Sequence, residues 1–237
     1  MMNIVISQPM FLPWIGLFEQ MKIADVFVHY DDVQMPLGRS FMSRVQVKTP
    51  NGVKWLSVPV KRNGKQLIKD VEIDHSKNWK ESHLGILSQC YKKAKYGSYA
   101  MALVESIYQY QTDSLADFCI ESTEKISNFL GLDQDFSSSS SYVFSSSSSR
   151  KLLDIVIALS GDVYITGHGA KNYLDHKLFE ANDIDVDYIQ YELKEYQQMY
   201  GDFTPYVSII DLIANVGDKA PEFILSKSVN WKEFVRE

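Results

Sequence analysis

The first thirty residues set the narrowest condition on what this chain can fold into. Asn3-Ile4-Val5-Ile6 is a short apolar run that reads as a buried strand, the first of a parallel sheet. Behind it comes Ser7-Gln8-Pro9-Met10-Phe11-Leu12-Pro13-Trp14-Ile15-Gly16-Leu17-Phe18, where two prolines and a glycine forbid one uninterrupted helix. Trp14 to Met21 leaves room for a short helix with Pro13 at or near its first position. Ala24 to Tyr30 is a second apolar run and a second strand. Strand, short helix and strand in so little chain is the βαβ unit. Asp31-Asp32-Val33-Gln34 follows the second strand. Open α/β sheets bind ligands beyond the carboxyl ends of their strands, so this polar end is a candidate site.

The next block changes character. Arg44-Val45-Gln46-Val47-Lys48-Thr49 alternates by two, Pro50-Asn51-Gly52 is a turn, and Trp55 to Val60 is another strand. Basic Lys61 to Lys65 reads as an exposed turn, and Ile68 to Ile73 as a further strand. These pieces predict an antiparallel excursion at about residues 40–75. Helices are expected at about Trp79–Ala94, with a stripe of Trp79, His83, Ile86, Leu87 and Tyr91, then at Tyr99–Tyr110 and Leu115–Leu130, closed by Gly131. Lys151–Leu159, Asn172–Ala181 and Ser208–Val216 also read as helices, Val163–Thr166 and Ile184–Tyr191 as strands. The expectation is one domain over 1–237. It has an α/β fold with a mostly parallel Rossmann-like sheet, helices on both faces, and a helical subregion at about 79–136. Residues 137–149, two runs of five serines around Tyr142-Val143-Phe144, read as a low-complexity linker or mobile loop to which no chemistry is assigned.

Composition narrows the function classes. With 45% hydrophobic residues the chain is not compositionally disordered, and its 14 Tyr, 12 Phe and 4 Trp suit ring-lined pockets as well as a core. A formal net charge of -6 lacks the broad basic footprint of a nucleic-acid binder, so no nucleic-acid partner is expected. Cys90 and Cys119 read as reduced, core-facing thiols rather than a disulfide or nucleophiles. No apolar run is long enough for a membrane span, and the start of the chain lacks the basic and apolar regions of a signal peptide. The expected compartment is the cytoplasm.

Among candidate chemical groups, Gly167-His168-Gly169 is the sharpest signal in the second half. Glycines after a strand let backbone approach a ligand, and an imidazole exchanges protons near neutral pH. The plain alternative is a tight turn bearing a surface histidine. The segment is neither a dinucleotide fingerprint nor a Walker A loop. Asp31 and Asp32 invite a general-base reading, but neighbours on an extended chain point to opposite sides, so at most one faces a site. Arg39 and Arg44 offer planar forks for phosphate or carboxylate, with Gln8 and Gln34 nearby in sequence. His29, His75, His83 and His176 have no metal-ligand spacing, and no metal is expected. The residues name no cofactor.

Several blocks, taken in order, resemble the WbqC-like protein family nearly end to end. They are Gln8-Pro9…Pro13-Trp14-Ile15-Gly16…Phe18 and Ala24-Asp25-Val26-Phe27…Tyr30-Asp31-Asp32-Val33-Gln34, then Arg44…Lys48-Thr49-Pro50-Asn51-Gly52…Trp55-Leu56…Val58-Pro59-Val60. Leu152-Leu153, Tyr164…Gly167…Ala170…Tyr173-Leu174 and Phe203…Ser208-Ile209…Asp211-Leu212…Gly217 continue the likeness. The chain departs from the family pattern at Ser43, where asparagine is usual before the arginine, and in the serine-rich window.

The resemblance implies a role in bacterial surface-polysaccharide biosynthesis, such as O-antigen and lipopolysaccharide. It implies a transferase that places an acyl or aminoacyl group, glycyl for example, on the amine of a nucleotide-linked amino sugar. On that reading the small-molecule substrate carries phosphate, which Arg39 and Arg44 hold. His168, Asp31 or Asp32 takes the proton. Gln8, Pro13, Trp14, Gly16, Gln34, Gly167 and Gly169 complete the substrate site, and a homo-oligomer is left open. Pro-x-x-Gly after a first strand is also similar to the phosphate-facing turn of HIGH-motif nucleotidyltransferases, though Trp14 and Leu17 stand where those enzymes need histidines. Nucleotidyl or adenylyl transfer is therefore the enzymatic alternative. Binding of a nucleotide-sugar or a partner without turnover is the third.

Overall fold

The computed structural model describes residues 1–235. Its strands are β1 (Asn3–Ser7), β2 (Val26–His29), β3 (Arg44–Thr49), β4 (Gly52–Ser57), β5 (Val60–Lys61), β6 (Glu72–Ile73), β7 (Asp135–Ser138), β8 (Val163–Thr166), β9 (Asp185–Gln190) and β10 (Lys227–Asn230). Its helices are α1 (Ile15–Ile23), α2 (Trp79–Tyr91), α3 (Gly97–Tyr108), α4 (Leu115–Phe129), α5 (Ser148–Ala158), α6 (His176–Glu180), α7 (Ile209–Val216) and α8 (Trp231–Phe234).

The central sheet has the order β10-β9-β8-β1-β2-β7. β1 pairs in parallel with both β2 and β8, β2 with β7, and β8 with β9, while β10 is antiparallel to β9. The chain winds outward from β1 through β2 to β7. It then returns to β1's other side and winds outward again through β8 and β9. This doubly wound order opens a crevice between β1 and β8, where the winding reverses.

The pleat sends alternate residues to opposite faces. Val5, Phe27 and Ile165 join a core with Leu17, Phe18 and Met21 of α1 and with α3, α4 and α7. Ile4, Ile6, Val28, Tyr164 and Val186 join a second core with Leu152, Leu153, Ile155 and Val156 of α5. Helices therefore cover both faces, as the near-continuous apolar strands require. β3 and β4 form the antiparallel hairpin of the excursion, and β5 with β6 a second small one.

Several expected elements come out differently. α1 begins at Ile15 with Trp14 as its N-cap, so Pro13 lies one residue before the cap, and its carbonyl instead accepts from Ile209 N (2.8 Å). Ile68–Asp70 is a 3-10 turn rather than a strand; that turn puts both Ile68 and Val71 into the core, which alternation would not. Trp55 to Val60 is not one strand, because β4 stops at Ser57 and Pro59, which has no N–H, precedes β5. The expected helix Asn172–Ala181 is only His176–Glu180, preceded by a 3-10 turn at His168–Asn172. β10 was not legible, since Lys227-Ser228-Val229-Asn230 has no apolar alternation and gains its place by pairing with β9.

The serine-rich window is not simply a loop. Residues 137–138 complete edge strand β7, Ser139–Ser141 form a 3-10 turn, and Ser148–Ser149 open α5. β-pairing satisfies backbone groups whatever the side chain, so a serine can occupy an edge strand. The two cysteines are free and buried, and burial pushes the Cys119 thiol up. No helix among the described residues is long and apolar enough to cross a membrane.

Candidate functional site

A cavity of about 850 Å³ occupies the crevice at the carboxyl ends of β1 and β8. Ile6, Ser7 and Gln8 bring β1 to it, Tyr30 follows β2 there, and Thr166 to Ala170 leave β8 along its wall. Seven rings besides the imidazole line it: Trp14, Tyr30, Phe41, Tyr164, Tyr173, Tyr191 and Tyr206. Phe41, Tyr173 and Tyr206 are exposed and mark the rim. Among the described residues no Lys, Arg, Asp or Glu lines the cavity; its polar groups are neutral. Such a surface suits a ligand with an uncharged, ring-shaped part, held by face contacts and oriented by a few hydrogen bonds.

One corner of the cavity is organised by a contact set spanning most of the chain. Gln20 Nε2, on the buried side of α1, donates to Tyr191 Oη (2.7 Å). Tyr191 packs against Trp14 (centroids 5.1 Å) and against His168 (5.0 Å). Burial pushes the Tyr191 hydroxyl up to about 12, so it stays protonated, and with Gln20 as donor its own proton is free to give. His168 Nε2 donates to Ile189 O (2.8 Å), so whenever the ring is neutral Nδ1 is the lone-pair nitrogen.

Two glycines have steric roles here. A Cβ on Gly167 would stand 3.1 Å from Tyr191 Oη, so glycine lets the hydroxyl close on the backbone. A Cβ on Gly16 would stand 2.4 Å from Trp14 Cη2, so glycine lets the indole fold back over the first turn of α1. Gly169 has nothing within 4 Å of such a Cβ.

The structure brings together five of the residues singled out from sequence: Gln8, Trp14, Gly167, His168 and Gly169 line the cavity. Gly16 sits beneath Trp14 without lining it, and buried Pro13 holds α7 through its carbonyl. Gln34 is exposed and bridges to Leu67, and Arg39 is exposed on the loop leading to Phe41. Arg44 begins β3 outside the cavity, its Cζ 3.9 Å above the Trp55 ring.

Asp31 and Asp32 do not line the cavity either. Asp31, just after β2, is buried against the turn that follows β7, accepting from Ser140 N (3.0 Å) and Ser140 Oγ (2.6 Å), with Ser139 Oγ at 3.0 Å. Asp32 pairs with Lys151 Nζ (2.6 Å) and lies 2.5 Å from Ser139 Oγ. Burial alone would raise its carboxyl, but the Lys151 and Ser139 hydrogen bonds outweigh it and hold Asp32 below the usual range. These bonds tie the end of β2 to β7 and α5. Adjacent carboxylates that seemed to face different ways are gathered by one serine.

Sequence reasoning did not find Gln20, Tyr30, Phe41, Tyr173, Tyr191 or Tyr206. Gln20 sits on α1 between Glu19 and Met21, with Lys22 close by, so nothing local marked it as facing a cavity. The four tyrosines and Phe41 come from five separate segments and share no spacing.

Behind the cavity, Glu19 of α1 is fully buried. Oε1 accepts from Leu193 N (3.4 Å), and Oε2 has no partner among the described residues. Burial, with Glu192 adding a like charge, raises the Glu19 carboxyl to about 7. The folded state therefore holds this proton more tightly than the unfolded chain, whose value is near 4.5. Its contribution to stability is full below the unfolded value and is lost as pH rises through about 7. Glu19→Gln keeps the acceptor and removes the titration. Its Tm is expected to match wild type at pH 4.5 and to exceed it by about 6–12 °C at pH 8, since the shift is worth about 3 kcal/mol there and one kcal/mol moves Tm by about 2–4 °C at this size. Equal Tm values at both pH values would show that Glu19 carries no such penalty.

The sheet order and the switch-point cavity define a doubly wound α/β protein with a ring-lined cavity at its switch point. Residues 8–223 match the model of the WbqC-like protein family, and the chain belongs to that family. It is also similar to a protein of Mycobacterium tuberculosis strain H37Rv named "Uncharacterized protein Rv1507c". The two are 29% identical over 228 residues, covering 94% of this chain and 98% of that protein. No solved structure matches the chain.

Proposed function

We propose that this protein transfers an acyl or aminoacyl group, such as glycyl, to the amine of a nucleotide-linked amino sugar, in the cytoplasm, during bacterial surface-polysaccharide biosynthesis. The observation that carries the reading is His168 among the rings of the switch-point cavity, with its tautomer fixed by Ile189 O. The sugar amine attacks the acyl carbonyl carbon, the bond from that carbon to the donor's leaving group breaks, and His168 Nδ1 takes the proton shed by nitrogen. The Tyr191 hydroxyl, oriented by Gln20, supplies a neutral donor to the carbonyl oxygen as charge gathers there. Arg44 and Arg39, outside the rings, hold the phosphates. Asp31 and Asp32, saturated by Ser139, Ser140 and Lys151, shape the end of β2 instead of moving the proton.

The test is a mass-spectrometric assay of the purified protein with nucleotide-linked amino sugars and activated acyl donors. An acyl mass gained by the sugar is expected. His168→Gln should lower kcat about 100-fold or more and leave KM within a few fold. The absence of carboxylates from the cavity among the described residues favours one second reading, a protein that binds the same ligand without turning it over. Binding that survives His168→Gln, with no product from wild type, would establish that reading in place of the first.

A further inference from the structure

We propose that the site is bipartite: the aromatic chamber takes the sugar ring alone, and Arg44, stacked on Trp55 outside it, takes the phosphate attached to that ring. The inference rests on the acyl-transfer reading for the choice of a sugar phosphate. The division itself comes from two features of the structure.

The first is the chamber. Its lining carries seven aromatic rings and, among the described residues, no cation. A diphosphate drawn inside would lose water and meet no counter-charge, which is prohibitive without pairing. Lys151, the nearby cation on α5, is already paired with Asp32. An uncharged ring loses little there and gains face contacts, with Gln20, Tyr191 and Gln8 available to its hydroxyls.

The second is Arg44. Its Cζ lies over the Trp55 ring, 3.9 Å from the centroid, and its Nε is buried with no hydrogen-bond partner among the described residues. A buried, unpartnered donor of this kind calls for an acceptor, and a stacked planar fork is oriented in advance for a phosphoryl group. The indole beneath it touches Phe41 (centroids 5.8 Å), and Phe41 is part of the chamber rim. A contiguous path of rings thus leads from the chamber to the guanidinium. Since the reacting amine must reach His168, the sugar enters, the phosphate stays at Arg44, and the nucleoside lies beyond.

Isothermal titration with glucosamine 1-phosphate, glucosamine, uridine and inorganic pyrophosphate tests this. Wild type should bind glucosamine 1-phosphate more tightly than glucosamine. Arg44→Gln should weaken the phosphate ester about tenfold or more and glucosamine less than about twofold. Gly16→Ala, whose methyl displaces the Trp14 ring, should weaken both sugar probes and leave pyrophosphate unchanged. Trp14→Phe serves the same purpose if Gly16→Ala fails to fold. Uridine bound in place of the sugars, sugar probes that do not bind, or an Arg44→Gln protein indistinguishable from wild type would each overturn the proposal. Arg44-dependent sugar phosphate binding in a protein that transfers no acyl group would sink the transferase reading and leave the bipartite site standing.

Discussion

Gly97→Ala is expected to destabilise this protein by about 3 kcal/mol or more, although alanine is the better helix former. Gly97 opens α3 directly after the turn from α2. A Cβ there would stand 1.9 Å from the Tyr91 carbonyl oxygen and 2.9 Å from its carbonyl carbon. Those are backbone atoms of a fully buried residue, so no side-chain rotation relieves the overlap. The turn is also fixed elsewhere, with Gly97 N donating to Ala94 O (3.0 Å) and Tyr96 N to Ala214 O (2.9 Å) on α7. Relief would have to separate α2 from α3 or α3 from α7. A fall in Tm of about 6–12 °C follows from that cost. Gly85→Ala is the matched control: Gly85 is exposed within α2 and has nothing within 4 Å of the added methyl. It should stabilise by about 0.5–1 kcal/mol through backbone entropy. Thermal denaturation of both variants checks the pair, and a Gly97→Ala protein as stable as wild type would contradict the packing described.

The second large effect is expected at Lys48, a buried lysine on β3. Its Nζ donates to Gln198 Oε1 (2.7 Å), to Gly201 O (3.4 Å) and to Asp202 O. Gln198 in turn donates to Tyr196 Oη (3.1 Å), and Tyr196 Oη donates to Asp211 Oδ2 (2.9 Å) on α7. Burial raises the Asp211 carboxyl to about 6, while the Tyr196 bond and the Lys48 charge work against that rise. The network binds the irregular segment between β9 and α7 to the hairpin. That segment begins with Tyr191, ends near Tyr206, and supplies both rings to the cavity. Lys48→Met removes the shared donor: the Gly201 and Asp202 carbonyls lose their side-chain partner, Gln198 Oε1 keeps only Thr204 N, and Asp211 loses the charge of Lys48. The expected cost is about 3 kcal/mol, with a Tm lower by about 6–12 °C. Limited proteolysis should then cut first within residues 192–205, because the anchored segment opens before the sheet does. Unchanged Tm and an unchanged cleavage pattern would show that the network does not hold the segment.

How far the fold was legible varies by element. β3 and β8 lie where their sequences put them, and β1 and β2 within two residues, because an apolar run bounded by turn formers has one economical use. Gly131 and Gly217 end α4 and α7 with φ of 65°, a conformation glycine adopts without strain, so those stops were readable. Gly97 was not. Its function is to let two helices approach, which depends on a partner six residues away in sequence and on α7 beyond it. Of the cavity residues, Trp14 and His168 were readable because each sits in a local motif at a strand's end. Tyr191, Tyr206 and Gln20 were not, since their meeting depends on the return of the chain after β9.

By itself, the sequence determined the parallel α/β frame, the antiparallel hairpin and the helices that flank them. Periodicity and turn chemistry act between residues a few positions apart, so one linear reading contains them. The tertiary structure alone decided that Asp31 and Asp32 serve a serine turn and Lys151, that Arg44 rests on Trp55, and that seven distant rings enclose one uncharged chamber. Those are contacts between residues up to some 170 positions apart, set by the order in which strands join the sheet, and nothing in the local pattern encodes that order.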